Sequence, residues 1–157
     1  MDLILWRHAE AHVAKDGQDD LQRTLTPKGE RQAQRMAEWL NARLAHTTRV
    51  LASPAVRCQQ TAKALQRSFR TLAELAPGAT AEDVLAAARW PRSAEPVLVV
   101  GHQPTLGEVA ATLLVGSAQP LSVKKAAVWW LRQRDREDED GEARRIVLQA
   151  VQSPDSL

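Results

Sequence analysis

Short apolar runs separated by longer stretches of helical period constrain this chain more than any other feature. The runs are Leu3-Ile4-Leu5, Val50-Leu51-Ala52 and Val97-Leu98-Val99-Val100. Strands buried on both faces read as continuous apolar stretches, and their alternation with helical segments is the pattern of an α/β sheet. The expected architecture is therefore α/β: a three-layer α/β/α sandwich with a mostly parallel central sheet. At 157 residues the chain fits a single domain over residues 1–157, and no repeat or composition shift marks a boundary.

The expected elements follow in order. A first strand covers about residues 2–6, and a long polar loop runs over roughly 9–25, a length that is often functional. Thr26-Pro27-Lys28-Gly29-Glu30 opens a helix, with Thr26 as cap, Pro27 in the first turn and Glu30 near the position that closes a capping box. Met36, Leu40 and Leu44, widened by Ala33 and Trp39, give it one apolar face. A second strand spans Arg49–Ala52, and a second helix starts at Ser53-Pro54 and reaches about Arg70. A short third strand near Thr71–Ala73 precedes Pro77-Gly78 and a modest helix from Thr80. Strand four follows Glu95-Pro96, and a helix from Thr105 to Leu114 ends near Gly116. The last expected element is a C-terminal β-hairpin, Ala126–Leu131 with Arg145–Ala150, joined through the turn dipeptide Asp140-Gly141.

Composition narrows function only a little. The net charge of +2 neither requires nor excludes a polyanionic partner. One cysteine, Cys58, rules out an intramolecular disulfide and fits a reducing compartment. Arg7 and His8 break the N-terminal apolar stretch too early for a secretory signal, and no segment approaches the roughly 20 apolar residues that span a bilayer. A cytoplasmic protein is expected.

The chemistry sits at strand ends. In an open α/β sheet, ligands bind at the loops beyond the carboxyl ends of the strands. Trp6-Arg7-His8-Ala9 follows the first strand, Ser53-Pro54-Ala55-Val56-Arg57 the second, and Gly101-His102-Gln103-Pro104 the fourth. Arginine is an always-charged forked donor suited to phosphate oxygens, and histidine titrates nearest neutral pH. Any one of these residues alone reads as an ordinary loop position. Three at equivalent topological positions predict a phosphate site.

Taken together and in order, these motifs resemble the histidine phosphatase superfamily, of phosphoglycerate-mutase-like fold, and within it the short SixA-type phosphohistidine phosphatases. Arg7-His8 matches the family's Arg-His-Gly, and Arg23-Thr24-Leu25-Thr26 precedes the first helix. Ser53-Pro54-x-x-Arg57-x-x-Gln60-Thr61, Glu74-Leu75-Ala76-Pro77-Gly78, Gly101-His102-Gln103-Pro104 and the terminal hairpin continue the likeness.

The resemblance implies that His8 is the nucleophile, which takes the phosphoryl group before water removes it. That role needs a neutral imidazole with one free lone pair, so the other ring nitrogen should donate to a fixed acceptor. Arg7 and Arg57 are expected to hold the equatorial oxygens, with His102 hydrogen-bonded to the phosphoryl group. Arg23 is a further candidate substrate contact, equally readable as a surface charge. Glu74 is the candidate proton donor, its plainer reading being a carboxylate that faces solvent or pairs with an arginine. Ala9 departs from the family's usual Gly, which matters only if that position needs positive φ.

Rival motifs fail. A cysteine phosphatase needs an Arg six positions after its Cys, where Cys58 has Ala64. Asp138-Glu139-Asp140-Gly141 follows a polar stretch and reads as a solvated hairpin tip. His8 and His12 lack further ligands at metal spacing.

The expected function is metal-independent, cofactor-free hydrolysis of phosphohistidine on a phosphorylated protein. Little sequence separates the third and fourth strands, too little for a lid over a small metabolite. The expected partners are that phosphoprotein, or a small phosphate ester, and inorganic phosphate, with neither nucleic acid nor a membrane. The alternatives are a broad small-molecule phosphomonoesterase of the same fold and a phosphate-binding module without turnover.

Overall fold

The structure is a computed structural model that describes residues 1–138 and 141–157, with the side chains of 135–144 outside the description. Glu139 and Asp140, within the hairpin tip and the turn dipeptide read from the sequence, thus lie outside the described residues.

Six strands form one sheet: β1 (Asp2–Arg7), β2 (Arg49–Ala52), β3 (Arg70–Thr71), β4 (Val97–Gly101), β5 (Val128–Asp138) and β6 (Gly141–Gln152), in the order β3-β2-β4-β1-β5-β6. The β1–β4, β2–β4 and β2–β3 pairs are parallel, and β5 and β6 join β1 as an antiparallel hairpin. Among the described residues four α-helices, α1 (Pro27–Asn41), α2 (Val56–Lys63), α3 (Ala81–Ala88) and α4 (Thr105–Val115), cover the two faces.

Strand alternation decides which helix goes where. Ile4 and Trp6 of β1, with Val50, Ala52, Leu98 and Val100, meet Met36, Ala37 and Leu40 of α1 and Cys58 and Ala62 of α2. Leu3 and Leu5, with Leu51, Val97 and Val99, meet Val84 and Ala88 of α3 and Leu106, Val109 and Ala110 of α4. The expected three-layer fold is found.

Two local expectations change. The second helix stops at Lys63, not near Arg70. Gln66 takes a left-handed backbone (φ 54°), and the segment is held elsewhere: Asn41 donates to the Leu65 carbonyl, and Arg67 donates to the Asn41 side chain and the Ala45 carbonyl. Tertiary bonds to the end of α1 replace the helix. The capping box expected on α1 also takes another form. Thr26 Oγ1 accepts the Gly29 N–H, but its hydroxyl donates to the Glu10 carboxylate (2.8 Å), and its N–H donates to the Glu10 carbonyl (3.0 Å).

The start of α1 is thereby tied to the loop after β1. Gly29 allows that approach, because a Cβ there would overlap the Glu10 carbonyl oxygen. No helix among the described residues is long and apolar enough to cross a membrane.

Candidate active site

Backbone pairing sets the site. Arg7 lies opposite Gly101 in the β1–β4 register. Just beyond it, the His8 N–H donates to the Gly101 carbonyl (3.1 Å), while the Ser53 N–H donates to the Val100 carbonyl (3.1 Å). His8, His102 and Ser53 are therefore the first residues beyond three adjacent strand ends. The His8 carbonyl accepts from Ala126 (3.1 Å), whose own carbonyl accepts the Trp6 indole N–H (2.9 Å). Ala126 is held between them with φ 62°, an uncommon conformation for a residue with a Cβ.

His8 is 7% exposed and His102 4%, with ring centroids 5.3 Å apart. His8 Nδ1 sits 2.8 Å from the Ala9 carbonyl oxygen. A carbonyl can only accept, so Nδ1 carries the proton and Nε2 keeps the lone pair. Ala9 has a negative φ and is fully buried, its N–H donating to Thr61 Oγ1 (3.1 Å), so the side chain in place of glycine costs no backbone strain.

His102 is fixed from two directions. Its Nε2 is 2.7 Å from Ser53 Oγ, and its Nδ1 is 3.4 Å from Arg57 Nη2. A guanidinium has no acceptor, so Nδ1 is the bare nitrogen and Nε2–H donates to Ser53. Ser53 Oγ also accepts from the Ala55 N–H (3.2 Å), and Cys58 Sγ lies 3.5 Å from the same His102 Nε2. Ser53 was expected to open the second helix; instead α2 begins at Val56, and Ser53 holds His102.

Three guanidinium groups surround the imidazoles. Arg7 Nη1 donates to the Val123 carbonyl (2.9 Å) and Arg57 Nη1 to the Asp20 carbonyl (2.8 Å). Arg57 Nη2 and Arg23 Nη1 each donate to the Asp20 carboxylate, at 3.0 and 3.1 Å, and Arg23 Nε donates to the His12 carbonyl (2.7 Å). The Nε groups of Arg7 and Arg57 are buried without a partner. Unpaired buried donors are rare, and both of these belong to arginines whose charge bears on His8 and His102.

Electrostatics agree. Burial first, then the nearby His102, Arg57 and Arg7, push the His8 pKa down to about 3 against the opposing Ala9 carbonyl. Burial, with Arg57, Arg7 and Arg23, lowers His102 to about 4, while Asp20 pulls the other way. Two neutral imidazoles and three cations face one carboxylate. Asp20 itself is held below the usual carboxylate range by Arg57 and Arg23, whose bonds outweigh its partial burial.

A model of the histidine phosphatase superfamily (branch 1) matches residues 3–80. The phosphohistidine phosphatase SixA of Escherichia coli is 32% identical over 134 residues, covering 80% of this chain and 82% of that protein. This chain belongs to the histidine phosphatase superfamily, in its SixA-type group. A SixA homolog of Haemophilus influenzae is 29% identical over 143 residues, covering 82% and 85%. The solved protein histidine phosphatase SixA complexed with tungstate superposes with a TM-score of 0.76 at 26% identity, covering 99% of each chain. Membership makes phosphatase activity the general function, and the fold is that of the phosphoglycerate-mutase-like histidine phosphatases.

Of the residues singled out in the sequence of this histidine phosphatase, Arg7, His8, Arg57 and His102 come together, and Arg23 joins them through Asp20. Glu74 does not. It is exposed on the turn after β3, beside a depression of about 480 Å³ shared with Arg49, Arg70, Asp83 and Arg89, and makes no hydrogen bond or ion pair with the cluster. No group of three or more His, Cys, Asp or Glu among the described residues is placed to hold a metal ion.

Sequence reasoning missed Asp20 and Ser53. Asp20 is one of several acids in a polar loop, and nothing local separates it from Asp16 or Asp19. Ser53 stood inside a quoted motif, but its partner is 49 residues away.

Proposed function

We propose that this chain hydrolyses phosphohistidine on a protein substrate, without a metal, through a covalent phosphoryl intermediate on His8. The observation that carries this reading is the bond from His8 Nδ1–H to the Ala9 carbonyl, which aims the Nε2 lone pair and keeps the distal proton in place. One solved relative is a complex with tungstate, a tetrahedral oxyanion, and the unpaired Nε groups of Arg7 and Arg57 suit such an anion here.

In the first step, His8 Nε2 bonds to phosphorus while the P–N bond to the substrate ring breaks, its electron pair going to that nitrogen. Arg7 and Arg57 neutralise the equatorial oxygens, and Arg23 adds to the field. His102 takes up a proton on Nδ1 as the anion arrives and donates it to a phosphoryl oxygen. In the second step, water attacks phosphorus and the His8–P bond breaks. Because Nδ1 kept its proton, His8 leaves as a neutral imidazole, and the proton lost by water ends on the phosphate product.

Leaving-group chemistry favours phosphohistidine. No protonated carboxyl group stands in the cluster, since Asp20 is kept ionised and Glu74 lies outside it. An alkoxide would need such a donor, whereas imidazole, with a reference pKa of about 6.5, leaves readily.

The test is a quench during turnover of a histidine-phosphorylated protein. Acid-labile, base-stable phosphate should accumulate on the native chain and be absent from His8→Ala, together with all turnover. Retained hydrolysis by His8→Ala would refute the mechanism, and faster turnover of sugar or nucleotide phosphates would refute the substrate.

A further inference from the structure

Resting on the proposed function, we infer that Asp20 selects phosphohistidine by hydrogen-bonding the distal ring N–H of the substrate's leaving imidazole. The Asp20 carboxylate accepts from Arg57 Nη2 at 3.0 Å and Arg23 Nη1 at 3.1 Å, so it borders the place where the phosphoryl oxygens sit. Its side chain is 54% exposed, while the His8 residue is 7% exposed at the floor of the site. In-line transfer puts the leaving group opposite the nucleophile. A nucleophile on the floor therefore sends the leaving group toward the mouth, where Asp20 stands. Each Asp20 oxygen uses one lone pair on an arginine and keeps another for a donor from solvent or substrate.

The chemistry then becomes symmetrical. Phosphohistidine with a protonated distal nitrogen is a cationic ring beside a dianionic phosphoryl group. When its P–N bond breaks, the electron pair stays on the ring nitrogen and the product is neutral imidazole, with no proton to be delivered. His8 undergoes the reverse change as Nε2 bonds to phosphorus, its own distal proton resting on the Ala9 carbonyl. Asp20 does for the substrate ring what that carbonyl does for His8. An ionised carboxylate is better suited than a neutral acceptor, because the ring it meets carries positive charge before cleavage.

Asp20 also positions Arg57 and Arg23, so lost activity alone would not distinguish the two roles. The decisive comparison is Asp20→Asn with two probes, N-phosphoimidazole and p-nitrophenyl phosphate. The phenolate of the second leaves as an anion and gains nothing from a carboxylate. We expect kcat for N-phosphoimidazole to fall about tenfold more than that for p-nitrophenyl phosphate, the effect of one pKa unit of lost stabilisation, beyond whatever loss both probes share through Arg57 and Arg23. The alkaline limb of kcat for N-phosphoimidazole should also move to lower pH in the variant, since the bound ring would lose its proton sooner. Equal losses on both probes with an unmoved limb would overturn the inference and leave Asp20 a positioning residue. Failure of the native chain to turn over N-phosphoimidazole, with p-nitrophenyl phosphate still cleaved, would instead overturn the substrate reading on which it rests.

Discussion

Ser53 Oγ lies 2.7 Å from Nε2 of His102, fully buried, and with Arg57 on the other side it sets which nitrogen of that ring is bare. Ser53→Ala should remove the acceptor and leave a buried N–H unsatisfied, costing about 1–3 kcal/mol of stability. Nitrogen-15 NMR should show a single Nε2–H tautomer for His102 in the native chain and a mixture in the variant. Turnover should drop about tenfold, because His102 loses the bond that fixes its ring with Nδ1 placed to take up a proton and share it with the phosphoryl group. An unchanged tautomer in the variant would count against this role.

Arg57→Lys should weaken oxyanion binding despite keeping the charge. Arg57 uses two nitrogens to reach the carbonyl and carboxylate of Asp20, and its Nε remains for the anion. An ammonium cannot reproduce that fork, and loss of such charged hydrogen bonds costs about 1.5–3 kcal/mol. Calorimetric titration with tungstate should therefore show affinity down by roughly ten- to a hundredfold.

Stability should fall as the solution is acidified. His8 and His102 titrate at about 3 and about 4 in the fold, against about 6.5 when unfolded. Below pH 6.5 the unfolded chain binds protons that the native one refuses. Each histidine then removes roughly 1.4 kcal/mol per pH unit until its folded pKa is reached, and neither contributes a slope above about pH 7. Urea midpoints measured from pH 7.5 to 4.5 should show this decline, and His102→Asn should flatten it. Saturating tungstate should offset the loss, since a bound dianion favours protonated His102.

Gly29→Ala should harm both stability and turnover although the residue belongs to a helix. A methyl group there would overlap the Glu10 carbonyl and push α1 away from the loop that follows His8. A loss of about 1–3 kcal/mol is expected from such overpacking, read as a lower thermal midpoint. Thr26→Ala, which deletes only the cap and its bond to Glu10, should cost about 1 kcal/mol.

Glu74→Gln should leave phosphohistidine turnover within about twofold of native, as for a surface change remote from reacting atoms. The carboxylate is exposed beside Arg70 and Asp83 and does not touch the cluster. A large drop with a steepened pH profile would reinstate it as the proton donor.

The chain by itself determined the sheet and the floor of the site. Apolar runs such as Val97–Val100 must be buried on both faces, and a strand delivers its next residue to a fixed rim, so Arg7, His8 and His102 were legible from position alone. Tertiary structure decided what surrounds them. Asp20 meets Arg57 across 37 residues and Ser53 meets His102 across 49, and no local period or propensity encodes such pairs. The same holds for α2, which stops at Lys63 because Asn41 and Ala45 bind the following segment. Periodicity reports burial along one element. Hydrogen-bond partners depend on how elements pack, and packing is settled only when the whole core closes.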